Sequence, residues 1–289
     1  MKSKNKALLA DFGMLAAALV WGAAFVVVKN SLANISPHWL LAYRFAIGAA
    51  AMVLCFFPRL KKLDLRTAAA GIFAGIFVYL GFLAQTVGVQ YTTASKNAIL
   101  TATYVVFTPF VYWVIRRKKP RLAHLFSALL CFSGVVLLMY RPNLGLTELN
   151  KGDLYTILCG FFYAIQIAYL GIASKKHDAI LLAVMQIVTC CVLSVAVAFS
   201  LDTLPSSLPP RETLYSMLYL GLCSTFFAYL MQTVGQKYTL PSHASIILSL
   251  ECLFGCVFSV IAFKDVFTPI MWVGAALTFS AVVISERSE

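Results

Sequence analysis

Charge is scarce in this 289-residue chain, so ionisable residues inside apolar runs stand out. Glu251 is the sharpest of them, closing the stretch Ser245-Ile246-Ile247-Leu248-Ser249-Leu250-Glu251 in an apolar run that opens at Ser242. With a helical rise of about 1.5 Å per residue, its carboxyl lies about 13 Å into that run. A charge at such depth in a bilayer costs roughly 2.5–3.5 kcal/mol, so the group must face protein or water rather than lipid. Three roles fit: a proton carrier, a clamp for a substrate amine, or a structural carboxyl hydrogen-bonded to another helix. Arg44 comes next, about 7–8 Å into the run opening at Trp39. Its planar fork suits a substrate carboxylate. Snorkelling to the membrane rim or pairing with an acidic residue are the alternatives.

Aromatic Trp21, Tyr79, Tyr104, Tyr163 and Tyr229, with polar Asn97, Thr101, Gln166, Ser245 and Ser249, are candidate cavity lining. Small-molecule sites are mostly apolar with a few directed polar groups, and ordinary helix packing is the competing use of each aromatic. Gln85 and Gln232, each followed by a tyrosine (Tyr91, Tyr238), are expected to shape helix junctions by hydrogen bonding. Lys96 and His243 occupy matching places beyond those junctions, and both are expected in interfacial water, with pH sensing the alternative for His243. The eight cysteines have neither zinc-type nor disulfide-framework spacing. No metal and no cofactor is expected. H-E-x-x-H, G-x-S-x-G, Walker A and G-x-G-x-x-G patterns are all missing, so the chain reads as a non-enzyme.

The elements that position these residues follow from composition. The chain is 61% hydrophobic and 12% charged with a mean hydropathy of +0.86, against roughly 25% charged in soluble domains. Crossing a bilayer takes roughly 20 apolar residues per helix. Ten runs qualify: Phe12–Leu32, Trp39–Phe57, Ala68–Val87, Ala94–Ile115, Leu122–Tyr140, Asp153–Ala173, Leu181–Leu201, Leu214–Val234, Ser242–Ala262 and Thr268–Ile284. None alternates polar and apolar as a barrel strand does. The expected class is an all-α membrane protein of ten transmembrane helices. Lys2, Lys4 and Lys6 ahead of the first run imitate a signal peptide, but no clear cleavage site follows, and the run is read as a retained span. Pro58 reads as part of a link, and only Pro109 falls well inside a span, where it predicts a kink.

The formal charge of +12 sits in short clusters between runs, which argues against nucleic acid as a partner. Clusters such as Arg59-Leu60-Lys61-Lys62 and Arg116-Arg117-Lys118-Lys119 fall in alternate links, predicting cytoplasmic N- and C-termini. Gly13-x-x-x-Ala17, Gly71-x-x-x-Gly75 and Gly274-x-x-x-Thr278 are spaced for close helix approach.

A stretch appears twice. Gln85-Thr86-Val87-Gly88-Val89-Gln90-Tyr91-Thr92-Thr93-Ala94-Ser95 returns as Gln232-Thr233-Val234-Gly235-Gln236-Lys237-Tyr238-Thr239-Leu240-Pro241-Ser242, an offset of 147 residues. Asp11 and Trp21 return as Asp153 and Tyr163, an offset of 142. The chain therefore reads as two units, residues 1–145 and 146–289, of five helices each. An odd number of helices inverts the second unit relative to the first, and such units enclose a site near the bilayer midplane.

Trp21-Gly22, Tyr43-Arg44-Phe45, the two Gln-x-x-Gly-x-x-Tyr-Thr junctions and the run ending at Glu251 together resemble the drug/metabolite transporter superfamily. The likeness is to its EamA-type ten-helix exporters and covers roughly residues 8–286. The resemblance implies a monomeric or homodimeric carrier in the bacterial inner membrane, moving an amino acid or related small polar metabolite outward. It also implies that helices 1–4 and 6–9 surround the cavity while 5 and 10 stand aside. One departure is visible: the family's acidic residue after helix four is replaced by the basic run 116–119, with only Asp265 at the matching place of the second unit. Alternating access, proton-coupled or by exchange, is the expected mechanism, and an uncoupled channel for a small solute is the alternative.

Overall fold

The computed structural model describes residues 2–117, 119–139, 150–205, 209–263 and 268–287. Asp265 and the boundary expected at 145/146 lie outside them. Ten helical segments follow one another: α1 (Lys2–Ser31), α2 (Pro37–Leu60), α3 (Leu65–Tyr91), α4 (Ala94–Thr101 continued by Tyr104–Arg116) and α5 (Leu122–Met139). The second series is α6 (Lys151–Lys176), α7 (Ala179–Leu201), α8 (Arg211–Gly235), α9 (Pro241–Phe263) and α10 (Pro269–Glu286). No strand occurs among the described residues. Among the described residues, seven helices are long and apolar enough to cross a membrane, and the apolar stretches Leu122–Leu137 and Pro269–Ser285 are shorter. Leu9, Leu54, Leu65, Val114, Leu122 and Trp272 are exposed on the outside of the bundle, where contact with lipid keeps apolar surface out of water.

Short polar links can stop and restart helices because their side chains take over the orphan amides. The Ser36 hydroxyl accepts from Trp39 N ahead of Pro37 at the first turn of α2. Asp64 and Thr93 do the same for α3 and α4. Asn150 and Asp153 form a reciprocal capping box on α6, and Asp178 accepts from Ile180 N and Leu181 N on α7.

Two proline expectations need correction. The break in α4 lies at Ala102–Thr103, and Pro109 stays inside the Tyr104–Arg116 segment. Backbone bonding there changes register, with Thr103 N reaching Leu100 O and Val105 N reaching Ala102 O. A proline ring meets the carbonyl four residues before it, here that of Val105, so the break at Ala102–Thr103 lies beyond the reach of Pro109. Pro58 belongs to α2 rather than to a link, and the accommodation falls on Phe56, at φ −113° and ψ 17°.

Eight helices close into a ring in the order α1, α8, α2, α7, α3, α6, α4, α9 and back to α1. Exchanging the two units, α1 for α6 and so on, returns the same ring. α5 and α10 pack on each other outside it, Gly134 meeting Gly274 and Thr278. Gly71 and Gly75 of α3 lie directly on Met185, Gln186 and Thr189 of α7, so the Gly71-x-x-x-Gly75 motif serves helix contact. Inversion is visible at the ends. Asp153, at the start of α6, bonds Lys96 at the start of α4, near Lys29 at the end of α1. Asp11, early in α1, faces His243 at the start of α9 at the opposite end.

Candidate functional site

The ring surrounds a cavity of about 620 Å³, its mouth included. Its wall takes Trp21, Ala24, Phe25 and Val28 from α1, Arg44 from α2, and Phe82, Gln85 and Val89 from α3. Asn97 and Tyr104 come from α4, Tyr163, Gln166 and Ile167 from α6, Ser224, Tyr229 and Gln232 from α8, and Leu248 and Glu251 from α9.

Arg44 does not snorkel. It is 2% exposed, and its Nε donates to Thr225 Oγ1 at 3.1 Å and its Nη2 to Ser224 Oγ at 2.9 Å. The guanidinium lies over the Phe82 ring, 4.3 Å from the centroid, a favourable place for a cation. Among the described residues no carboxylate pairs with it. The receiving hydroxyls belong to Tyr219–Phe227, where α8 winds as a π-helix. Such wider turns recur at functional sites, and here Trp21 Nε1 donates to the Ser224 carbonyl at 2.8 Å. Gly48 and Gly221 let α2 and α8 approach closely enough for Arg44 to reach, with Gly48 on Thr225 and Gly221 on Ile47. Composition carries no signal for that π-helix.

Glu251 is buried and accepts from the Tyr104 hydroxyl at 3.2 Å. Tyr104 stands at the repeat-equivalent position of Glu251, by the offset of 147. Residues exchanged by a two-fold axis approach each other only near it, so this pair marks the symmetric centre of the ring. A chain of amides flanks it: Gln232 Nε2 donates to Gln166 Oε1 at 3.2 Å, Gln166 Nε2 to Gln186 Oε1 at 3.0 Å, and Gln186 Nε2 to Thr233 Oγ1 at 3.2 Å. The described residues offer no nitrogen or oxygen partner for the Tyr163 hydroxyl or Gln232 Oε1. Buried polar groups are ordinarily satisfied, so these two are open to a solute or to water.

Trp21, Arg44, Asn97, Tyr104, Tyr163, Gln166, Tyr229 and Glu251 therefore meet in one wall. Four other expected lining residues do not reach it. Tyr79 is packed in the core. Thr101 accepts from Gln85 Nε2 at 3.0 Å. Ser245 and Ser249 donate to their own helix, at the carbonyls of Ser242 and Ile246, a common fate of helical serines. Gln85 and Gln232 belong to the wall rather than only to the junctions, whereas Tyr91 and Tyr238 are exposed. Lys96 is not a water-facing group, since its Nζ bonds Asp153. His243 is 1% exposed with Nε2 3.5 Å from Asp11 Oδ2, so it is not solvated. Phe25, Phe82 and Ser224 went unmarked in the sequence. Phe25 shares a helical face with Trp21 and Phe82 with Gln85, at i+4 and i+3, which was the available signal.

A ring of apolar helices from two inverted units, enclosing a polar-studded cavity, defines a multi-pass membrane protein built for passage across the bilayer. The EamA-like transporter family matches residues 8–140 and again 150–286, and the chain belongs to that family, within the drug/metabolite transporter superfamily. An uncharacterized transporter of Archaeoglobus fulgidus is 33% identical over 279 residues, 96% of this chain and 86% of that protein. The uncharacterized transporter YoaV of Bacillus subtilis is 23% identical over 226 residues, 76% of each chain. A solved crystal structure shares the fold with a TM-score of 0.74 at 16% identity, covering 96% of both chains.

Proposed function

We propose that this transporter is a secondary carrier that exports a small polar metabolite bearing an anionic group, an amino acid or a related compound, across the bacterial inner membrane by alternating access. The observation that carries this reading is Arg44: a buried guanidinium in the cavity wall whose described partners are hydroxyls and a ring face rather than a carboxylate. A buried charge is costly until an opposite charge meets it, and a solute carboxylate fits that vacancy bidentately. Glu251, in the same wall, receives the solute amine or a proton. The distribution of basic links supports cytoplasmic termini.

The experiment is flux in proteoliposomes with an imposed pH gradient, wild type beside Glu251→Gln, after a screen of amino acids, amines, nucleobases and sugars for binding. Gradient-driven flux of an anionic or zwitterionic solute that collapses in Glu251→Gln supports coupling at this carboxyl. Gradient-driven flux that survives the substitution unchanged removes Glu251 from proton coupling, with sodium coupling or plain exchange remaining as mechanisms that do not use this carboxyl.

A further inference from the structure

The cavity is symmetric in its middle and asymmetric along its length. Toward one end it reaches Val28, Val89 and Asn97. The repeat-equivalent residues at the other end are Leu170, Gln236 and Ala244, all fully buried and absent from the wall. That far end is sealed by packing and by a direct bond. Gln236 Nε2, at the end of α8, donates to Ile167 O on α6 at 3.0 Å, and Gly171 admits Pro241 against the α6 backbone.

At the near end the crossing is made differently. Lys29, in the last turn of α1, extends its Nζ to Val89 O at 2.7 Å and Thr92 O at 3.0 Å, at the end of α3. Those two carbonyls are the C-terminal orphans of α3, where a cation is favoured. Lys29 has Gly171 as its counterpart, so the arm exists in one unit only. The rim it grips is itself fixed. Thr92 Oγ1 donates to Asp153 Oδ1 at 3.0 Å and Lys96 Nζ binds Asp153 Oδ2 at 2.6 Å, holding the α3–α4 corner onto α6. Lys29 and that corner sit on opposite halves of the ring: α9, α1, α8 and α2 form one, and α7, α3, α6 and α4 the other, joined along α2–α7 and α4–α9. These joining pairs are each self-equivalent and lie where the halves can pivot.

We propose that Lys29 is the latch of the near gate: its ammonium holds the two ring halves together over Val28 and Val89, and its release opens the cavity to that side. The inference rests on the carrier reading for its purpose but not for its test. Val89→Cys places a thiol in the wall just beneath the latch. A membrane-impermeant maleimide is applied to proteoliposomes, and labelling is read by mass spectrometry on the tryptic peptide 67–96, which contains no native cysteine. With Lys29→Met added, the labelling rate should rise at least about fivefold, while Lys29→Arg, which keeps a cationic arm, should stay within about twofold. Equal rates in all three proteins overturn the latch. Native Cys190, fully buried in α7, reports on folding. If Lys29→Met exposes it, the same comparison is made with Lys29→Gln, whose shorter arm cannot hold both carbonyls. A rise in labelling in a protein that carries no solute upholds the latch and removes the carrier reading. Sustained flux with unchanged labelling removes the latch alone.

Discussion

The two units repeat one backbone plan and part company at a few side chains. Where the first unit has Arg44, the second has Gln186, and where the second has Glu251, the first has Tyr104. Gln186 is absorbed into an amide chain with Gln166 and Thr233. Arg44, at the matching depth, reaches hydroxyls on α8 and a ring face, with no described carboxylate. The architecture thus asks only for a polar residue at these depths. The charges are additions, one per unit, and both belong to the same cavity wall. Duplication supplies the symmetric frame, and divergence supplies the charges within it.

The largest effect expected from erasing that difference is in Arg44→Gln, which gives the first unit the residue of the second. Losing a charge-assisted hydrogen bond costs about 3 kcal/mol at the upper end, so solute affinity should fall roughly a hundredfold. Isothermal titration or concentration-dependent flux reads this directly. A change smaller than about threefold would make Arg44 a structural group like Gln186.

A second contrast concerns packing at the repeated junctions. A Cβ on Gly88 meets Thr156 Oγ1 at 2.7 Å and Gly152 O at 2.9 Å, both held in α6. On Gly235 it meets Met14 Cγ at 2.8 Å and Ala10 O at 3.1 Å, and the methionine can yield. Overpacking costs about 1–3 kcal/mol where neighbours cannot move. Gly88→Ala should therefore lower the Tm in detergent more than Gly235→Ala, and equal shifts would show the two junctions to be equally rigid.

The smallest effect lies at the helix caps. Ser36 and Asp178 are equivalent N-caps, of α2 and α7. Burial alone would raise the Asp178 carboxyl, but the hydrogen bond from Arg59 and those from the Leu181 and Ile180 amides outweigh it and hold it below the ordinary carboxylate value. A carboxyl depressed in the folded state contributes stability above its unfolded pKa and loses it as pH falls through the folded one. Asp178→Ser should thus destabilise at neutral pH by less than about 1 kcal/mol, as expected for a half-exposed ion pair. The difference from wild type should vanish in acid. A gap that persists below about pH 3, under the usual carboxylate range, would mean that Asp178 acts through packing instead.

Sequence made the helices legible because apolar runs, capping residues and prolines are local signals, and the repeat made the inversion legible because it is arithmetic. Glu251 and Arg44 stood out for the same reason: charge inside an apolar run has few explanations. What sequence could not convey was direction around a helix when nearly every face is apolar. Ser245 and Ser249 turn to their own backbone, Thr101 to Gln85, and Tyr79 to the core, while Phe82 and Ser224 face the cavity. His243 and Lys96 were misread for a related reason. Their acidic partners Asp11 and Asp153 are distant in sequence and meet them only because inverted units bring α1 to α9 and α4 to α6.

Trans-stimulation tests the alternating carrier most directly. Proteoliposomes preloaded with the unlabelled solute should take up labelled solute faster than empty ones, with saturation as its outside concentration rises. Uptake that is indifferent to preloading and linear in concentration would contradict the carrier and leave an open pore.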